Sequence, residues 1–288
     1  MRATELLPVL DAFLEIATRT RRERTLARIV RAGEKRIAAA FRAQGAAIVR
    51  EMLKSRVSEA AAAAPPPPPP PPPSGAARLL ADWGRLFTTA ELETLAAFAS
   101  PIQGVARAAL EAGIRVTLAD LHTDIAFDLA NPRAVAWLED YGARRVTMIN
   151  ETTRESIKDL VTKGVDEGWS YDKTARAITE RFHEFAVGKP QQHIESRAHL
   201  VAVTEAGEAY EAANHMVAEE LAAAGVAMEH FWLTVGDDRV SDGCEANTAV
   251  GWIPLAQSFP SGHMHPLRFP GCRCTGLSRP KTDLEVTP

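Results

Sequence analysis

Residues 26–52 read LARIVRAGEKRIAAAFRAQGAAIVREM. Within them Leu26, Val30, Ile37, Phe41, Ile48 and Met52 are separated by fours and sevens, with Gly33 and Gln44 at the intervening steps. At ~3.6 residues per turn these positions form one apolar stripe on an α-helix. The pattern predicts a helix from about Thr20 to Val57, roughly 57 Å long at ~1.5 Å rise per residue. So long a helix with so narrow a stripe requires another surface to cover it. Arg21, Arg22, Arg24, Arg28, Arg31, Lys35, Arg36 and Arg42 occupy much of its remaining circumference. Such a face suits DNA phosphates or an acidic protein surface; the plainer reading is a solvated helix.

The rest of the composition agrees with a helical chain. Of 288 residues 46% are hydrophobic, 24% charged and only 6% aromatic. Alanine is abundant, and it carries the lowest helix cost. Three cysteines are too few for a disulfide scaffold. No apolar run reaches the ~18 residues of a membrane helix, and Met1–Phe13 lacks the plan of a secretory signal. The expected class is a soluble, intracellular, mainly α protein.

The net charge of −4 hides an asymmetry. Residues 1–60 hold 13 Lys/Arg against 7 Asp/Glu, so the remainder is acidic. Between the two parts lie Ala60–Ala64, nine prolines at Pro65–Pro73, and Ser74-Gly75. Consecutive prolines cannot continue a helix. As polyproline II they form a semi-rigid spacer of about 28 Å. Recognition by an aromatic groove is the alternative use.

Beyond the spacer the pattern remains helical. Thr88-Thr89-Ala90-Glu91 reads as a capping box, and Pro101 interrupts or restarts that segment. Val116–Ala130 reads as a helix ending at Asn131-Pro132, with Pro132 opening a short helix to about Tyr141. Further helices are expected over Val146–Lys163, Tyr171–Phe185 (Ser170 as its cap) and Ile194–Ala224, the last stopping at Gly225. Glu195, Glu205, Glu208 and Glu211 stripe that last helix and read as solvent-facing charge. After Gly225, His230–Val235 is β-rich and Gly251–Leu255 is a second extended piece. The expected architecture is therefore a long N-terminal helix, a polyproline spacer, a multi-helix body, and a small C-terminal α+β module with short strands and a Cys/His-rich loop. In residue terms these are a basic arm at 1–60, a linker at 61–77, a helical layer at 78–130 and a final domain at 131–288 whose Cys/His-rich end is 229–277.

That end carries the chemistry. Cys244, Cys272 and Cys274 all lie there, with His263 and His265. Cys244, His265, Cys272 and Cys274 make a sufficient ligand set for tetrahedral Zn²⁺. A metal would stabilise a segment with little apolar material of its own. Cysteines packed as small hydrophobes are the bland alternative. A disulfide or a Cys244/His nucleophile is a further one. No P-loop, G-x-G-x-x-G, H-E-x-x-H or G-x-S-x-G motif occurs.

From Asn131-Pro132 to Thr275 the chain resembles the phage Mu F-like minor head proteins, the phage head morphogenesis domain. The resemblance rests on Arg197-Ala198, Ala202-Val203-Thr204-Glu205, Ala209 and Asn214, against an R-A-x-x-I-A-x-T-E helix. It continues through Phe231-Trp232-Leu233-Thr234-Val235-Gly236-Asp237-Asp238-Arg239-Val240, which fits an apolar-Trp strand and a T-x-G-D-x-R-V turn. It closes with Gly251, Pro254 or Leu255, Phe259-Pro260, and Phe269-Pro270-Gly271-Cys272-Arg273-Cys274, against an ending of H-P-N-C-R-C. Arg197, Thr204, Glu205, Trp232, Asp238, Arg239, Pro270 and Arg273 are the motif residues it singles out. Many members read C-x-x-C after the R-V, where this chain has Ser241 and Cys244, and His where it has Phe269. His263 or His265 would then replace a missing ligand.

The resemblance implies a minor head protein of a tailed phage or prophage, without catalysis. It implies action in head assembly and DNA packaging or delivery at the portal vertex. The partners would be portal protein and major capsid or scaffold protein. The basic arm at 20–57 lies outside the resemblance; its charge alone makes phage DNA a candidate partner. The location would be host cytoplasm during assembly and then the virion head. Two other classes compete. A zinc-stabilised nucleic-acid-binding protein should carry its cations around the cysteines, yet they cluster in the N-terminal helix. A Cys/His toxin or peptidase should show one fast-alkylating thiol at Cys244.

Overall fold

The computed structural model describes residues 3–62, 75–187 and 196–281. The polyproline run lies outside them. Six helices and three short strands follow one another: α1 (Ala3–Ala62), α2 (Gly75–Asp120), α3 (Pro132–Asp166), α4 (Tyr171–Val187), α5 (Arg197–Ala223), β1 (Met228–Leu233), α6 (Asp242–Ala249), β2 (Ile253–Pro254) and β3 (Thr275–Pro280). The chain is thus mainly α with one small sheet, as its alanine content and helical periodicity predict. Among the described residues no helix is long and apolar enough to cross a membrane.

The expected stripe on α1 is buried throughout, with Ile37, Phe41 and Met52 wholly covered. Several expected boundaries are absent. α2 runs straight through Pro101, and Thr89 sits inside it, its hydroxyl donating to the Arg85 carbonyl at 3.0 Å rather than capping a start. An interior proline costs about 3 kcal/mol. Burial of Phe98 and Ile102 on either side of it offsets that cost. α2 ends at Asp120, not near Ala130; Leu121 and Ile125 leave the helix to pack on Ala218, Leu221, Met228 and Leu255. The short helix expected after Pro132 and the one expected from Val146 are one continuous α3. Ser170 does cap α4, accepting the Lys173 N–H at 3.3 Å. Ser196 caps α5 in the same way through His199 N–H at 3.0 Å.

The residues cluster into two compact units. One comprises Gly33–Gln103 and Asp140–His199. Its centre is aromatic: Phe41 meets Phe98 edge-on at 5.0 Å and Phe185 at 5.5 Å, and Phe182 meets Phe185 at 5.4 Å. Gly45 lets α4 come close, because a Cβ there would lie 2.6 Å from the Phe182 ring. Gln44 donates to Asn150 at 3.1 Å, pairing two buried amides.

The other unit comprises Met1–Ala32, Gly104–Glu139 and Leu200–Pro288. α5 is its axis, and Ala202, Ala206, Ala209, Ala213, Val217 and Ala218 are fully buried. A helix covered on nearly all sides is a core element. The sheet is antiparallel with order β2-β1-β3, pairing Glu229 with Pro254 and Trp232 with Gly276. β3 and α6 are elements that the Gly/Pro-rich composition of this end conceals.

A three-thiol centre carried by helix α5

Each cysteine reaches the centre from a different constraint. Cys244 stands in the first turn of α6, which Ser241 precedes as N-cap. Cys272 closes a tight turn: its N–H donates to the Phe269 carbonyl at 3.0 Å, across Pro270 and Gly271. Gly271 has φ +78°. Proline at the second position and a left-handed third residue define a type II turn, which admits Gly or Asn there. Cys274 then leads into β3.

The three Sγ atoms lie within 4.8 Å of one another and all three residues are buried. Cys244 and Cys272 sulfurs are 4.0 Å apart. A disulfide requires ~2.05 Å, so these are free thiols. Sulfurs bound tetrahedrally at a Zn–S distance of ~2.3 Å are separated by about 3.8 Å. The donor set therefore fits a thiophilic metal, with three protein sulfurs and one position left for another ligand.

The local field already favours a thiolate. The Cys272 pKa is pulled down to about 5, chiefly by the Cys274 thiol and further by the Arg268 and Cys274 backbone N–H groups, against the penalty of burial. Cys274 is pushed up, because it donates to Cys272 and is itself buried. A cation bound to these sulfurs would displace their protons. Behind the sulfurs, Trp232 is fully buried and meets Phe259 edge-on at 5.3 Å; Ile253, Leu267 and Val240 complete the packing.

His265 does not join the sulfurs. Its Nδ1 bonds the Pro266 carbonyl, its ring lies 5.5 Å from that of His215, and burial lowers its pKa to about 4. His263 bonds Ser261 through Nδ1 at 3.0 Å and turns its ring edge to Trp232.

The carboxylates of α5 overturn the expectation of a solvated stripe. Glu205 and Glu211 are buried, at 2% and 1% exposure. Glu195 lies outside the described residues. Thr204, Glu208, Glu211 and Asn214 form a polar face at helical spacing that grips the C-terminal segment. Thr204 Oγ1 accepts the Gly271 N–H at 3.0 Å, which fixes the turn before Cys272. Glu208 accepts from the Leu267 N–H at 3.5 Å. Glu211 accepts from Thr275 Oγ1 at 2.8 Å and Gly276 N–H at 2.7 Å, and Asn214 donates to the Gly276 carbonyl. Arg22 of α1 balances Glu211 at 2.6 Å, with 9% and 0% of the two side chains exposed. Burial still raises the Glu211 pKa, opposed by Arg22 and the two strand donors. The small alanines beside these carboxylates let neighbouring segments close over this stretch of α5, whereas Glu219 and Glu220 near its end stay partly exposed.

The remaining motif residues are structural in different ways. Arg197 belongs to the aromatic unit: its guanidinium lies 4.6 Å from the Phe185 centroid and donates to the Ile149 carbonyl at 3.0 Å. Burial lowers its pKa to about 10. Arg273 makes a two-pronged pair with Asp237, both contacts at 2.6 Å. Asp237, not the neighbouring Asp238, is the acid in this pair; the Asp238 and Arg239 side chains are exposed. Pro270 is exposed on its turn. Sequence reasoning missed Asp237, Glu208 and Arg22 as site-building residues. The x-G-D-x-R-V spacing was a usable signal for Asp237; Arg22 had none.

A family model described as "Phage Mu protein F like protein" matches residues 155–277. No curated protein matches the chain, and no solved structure matches it. The matched stretch ends with the thiol centre and β3, and includes Arg197, Thr204, Trp232 and Arg273. Residues 155–277 of this chain are thus similar to the phage Mu protein F-like family.

Proposed function

We propose that the chain is a minor head protein of a tailed phage or prophage, a structural component acting in head assembly and in DNA packaging or delivery at the portal vertex. The single observation that carries this reading is the family match over residues 155–277. The geometry supports a scaffolding role. The buried polar face of α5 is spent on holding the C-terminal segment in place, through Gly271, Thr275 and Gly276.

In this reading Cys244, Cys272 and Cys274 hold a structural Zn²⁺. Bound there, such an ion would cross-link α6 to the segment before β3. The chain's own residues do the rest: Thr204 fixes the turn, Arg268 and Cys274 N–H groups stabilise the Cys272 thiolate, and Trp232 excludes water. Portal protein and major capsid or scaffold protein are the proposed partners, in host cytoplasm and then the virion head. DNA is a proposed partner of α1. Among its cations Arg21, Arg22, Arg50 and Lys54 are already paired with acids, whereas Arg24, Arg28, Lys35 and Arg36 are exposed.

Co-expression with the portal protein of the same phage tests the main claim. The chain should co-purify with portal rings through size exclusion. Separate elution at every ionic strength tried would refute the assignment. For DNA, affinity should fall steeply with salt, as counterion release demands, and Arg24→Gln with Arg28→Gln should flatten that slope.

A further inference from the structure

In the aromatic unit, α1 and α4 enclose an open groove of about 920 Å³. The geometry points to a docking site for an acidic amphipathic helix of a partner protein. The floor is apolar, built from Ala46, Val49 and Leu53 of α1 and Phe182 of α4. On α1 these positions recur at threes and fours, so they form one face. Leu53 is 40% exposed at the edge of this floor. Gly45 sets the shape, since it draws Phe182 down onto the α1 backbone.

The rim decides the occupant. Arg42, Arg50 and Lys54 stand around the floor with Thr179 and His183 of α4, and among the described residues no acidic side chain lines it. Arg50 and Lys54 are partly neutralised by Glu93 and Glu51, but Arg42 is exposed without an ionic partner among the described residues. Charge complementarity therefore favours Glu or Asp flanking apolar anchors. DNA is disfavoured, because an apolar floor offers nothing to phosphate oxygens. A second copy is disfavoured as well: an isologous contact would bring the same cations together. This inference stands independently of the head-protein reading.

The test uses the full chain and a fluorescein-labelled peptide with leucine at i, i+4 and i+7 and glutamate on its other faces. A control peptide carries lysine in place of glutamate. Anisotropy should show saturable binding of the acidic peptide alone. Arg42→Glu and Leu53→Asp should each weaken it about tenfold, and both change exposed side chains, so far-UV dichroism should match the parent protein. A short DNA duplex should not displace the peptide. Equal binding of both peptides, no saturable binding, displacement by DNA, or parental affinity in both folded variants would overturn the assignment.

Discussion

Glu211→Ala removes the one side chain that α1, α5 and β3 share within their unit. Three donors lose their acceptor: Arg22 Nε at 2.6 Å, Thr275 Oγ1 at 2.8 Å and Gly276 N–H at 2.7 Å. Leaving a buried charge without its partner costs about 3–5 kcal/mol. An unsatisfied strand N–H adds about 1–3 kcal/mol. The terms share one partner and do not simply add, so a loss of about 4–6 kcal/mol is expected. That approaches the whole stability of an ordinary domain, ~5–15 kcal/mol. Glu211→Gln keeps one acceptor oxygen but turns an NH₂ donor toward the remaining donors and leaves Arg22 without a counter-charge, so it should cost nearly as much, about 3–5 kcal/mol. Arg22→Met combined with Glu211→Leu should cost less than Glu211→Ala, because it buries no lone charge. Two units make a single global transition a poor measure, so the assay is hydrogen exchange at the β3 amides, compared with amides of α4. Loss of β3 protection with α4 unchanged is expected. Full β3 protection in Glu211→Ala would refute the view that α5 holds the C-terminal segment through buried charge.

Other predictions follow from single residues. Trp232→Ala should cost about 3–5 kcal/mol, read as lost hydrogen-exchange protection of the β1 amides, since the side chain is fully buried; parental protection there would show that it is not. Gly271→Ala should destabilise by about 1–2 kcal/mol because φ is +78°, whereas Gly271→Asn should be tolerated; equal stability of the two would contradict the type II turn. The Asp237 carboxyl should titrate at about 2, held down first by Arg273, and return toward ~3.9 in Arg273→Gln by carbon-13 NMR. Its folded pKa is depressed, so its contribution is present above the unfolded value and is lost as pH falls through about 2. No movement in Arg273→Gln would mean that the pair is not the cause.

What was legible was what repeats locally. The spacing Leu26, Val30, Ile37, Phe41, Ile48, Met52 is a property of one helix face, and every one of those side chains is buried. Ser170 was legible because a cap is a contact between near neighbours. Boundaries at Pro101 and around residue 142 were not: the cost of Pro101 is local, while the packing of Phe98 and Ile102 that outweighs it comes from distant segments. β3 was hidden for a similar reason. Thr275–Pro280 alternates weakly, and the groups that hold it, Glu211, Asn214 and β1, lie far away in sequence. The three cysteines were legible as a set by residue type. His265 shows the limit of that reasoning, since sequence proximity to Cys272 did not bring its ring to the sulfurs. The carboxylates of α5 mark the other limit: Glu205 and Glu211 are buried while Glu219 and Glu220 of the same helix are partly exposed, so charge predicts solvent only where nothing packs over that position.

The most direct measurement is the metal content of the purified chain, taken by mass spectrometry without exposure to chelator. With Cys244, Cys272 and Cys274 buried within 4.8 Å of one another, at a separation that suits tetrahedral sulfur ligation, close to one Zn per chain is predicted. It also predicts loss of that zinc in Cys272→Ser, with reduced β3 protection. Less than about 0.2 Zn per chain, or full occupancy retained in Cys272→Ser, would contradict a metal held by these three sulfurs.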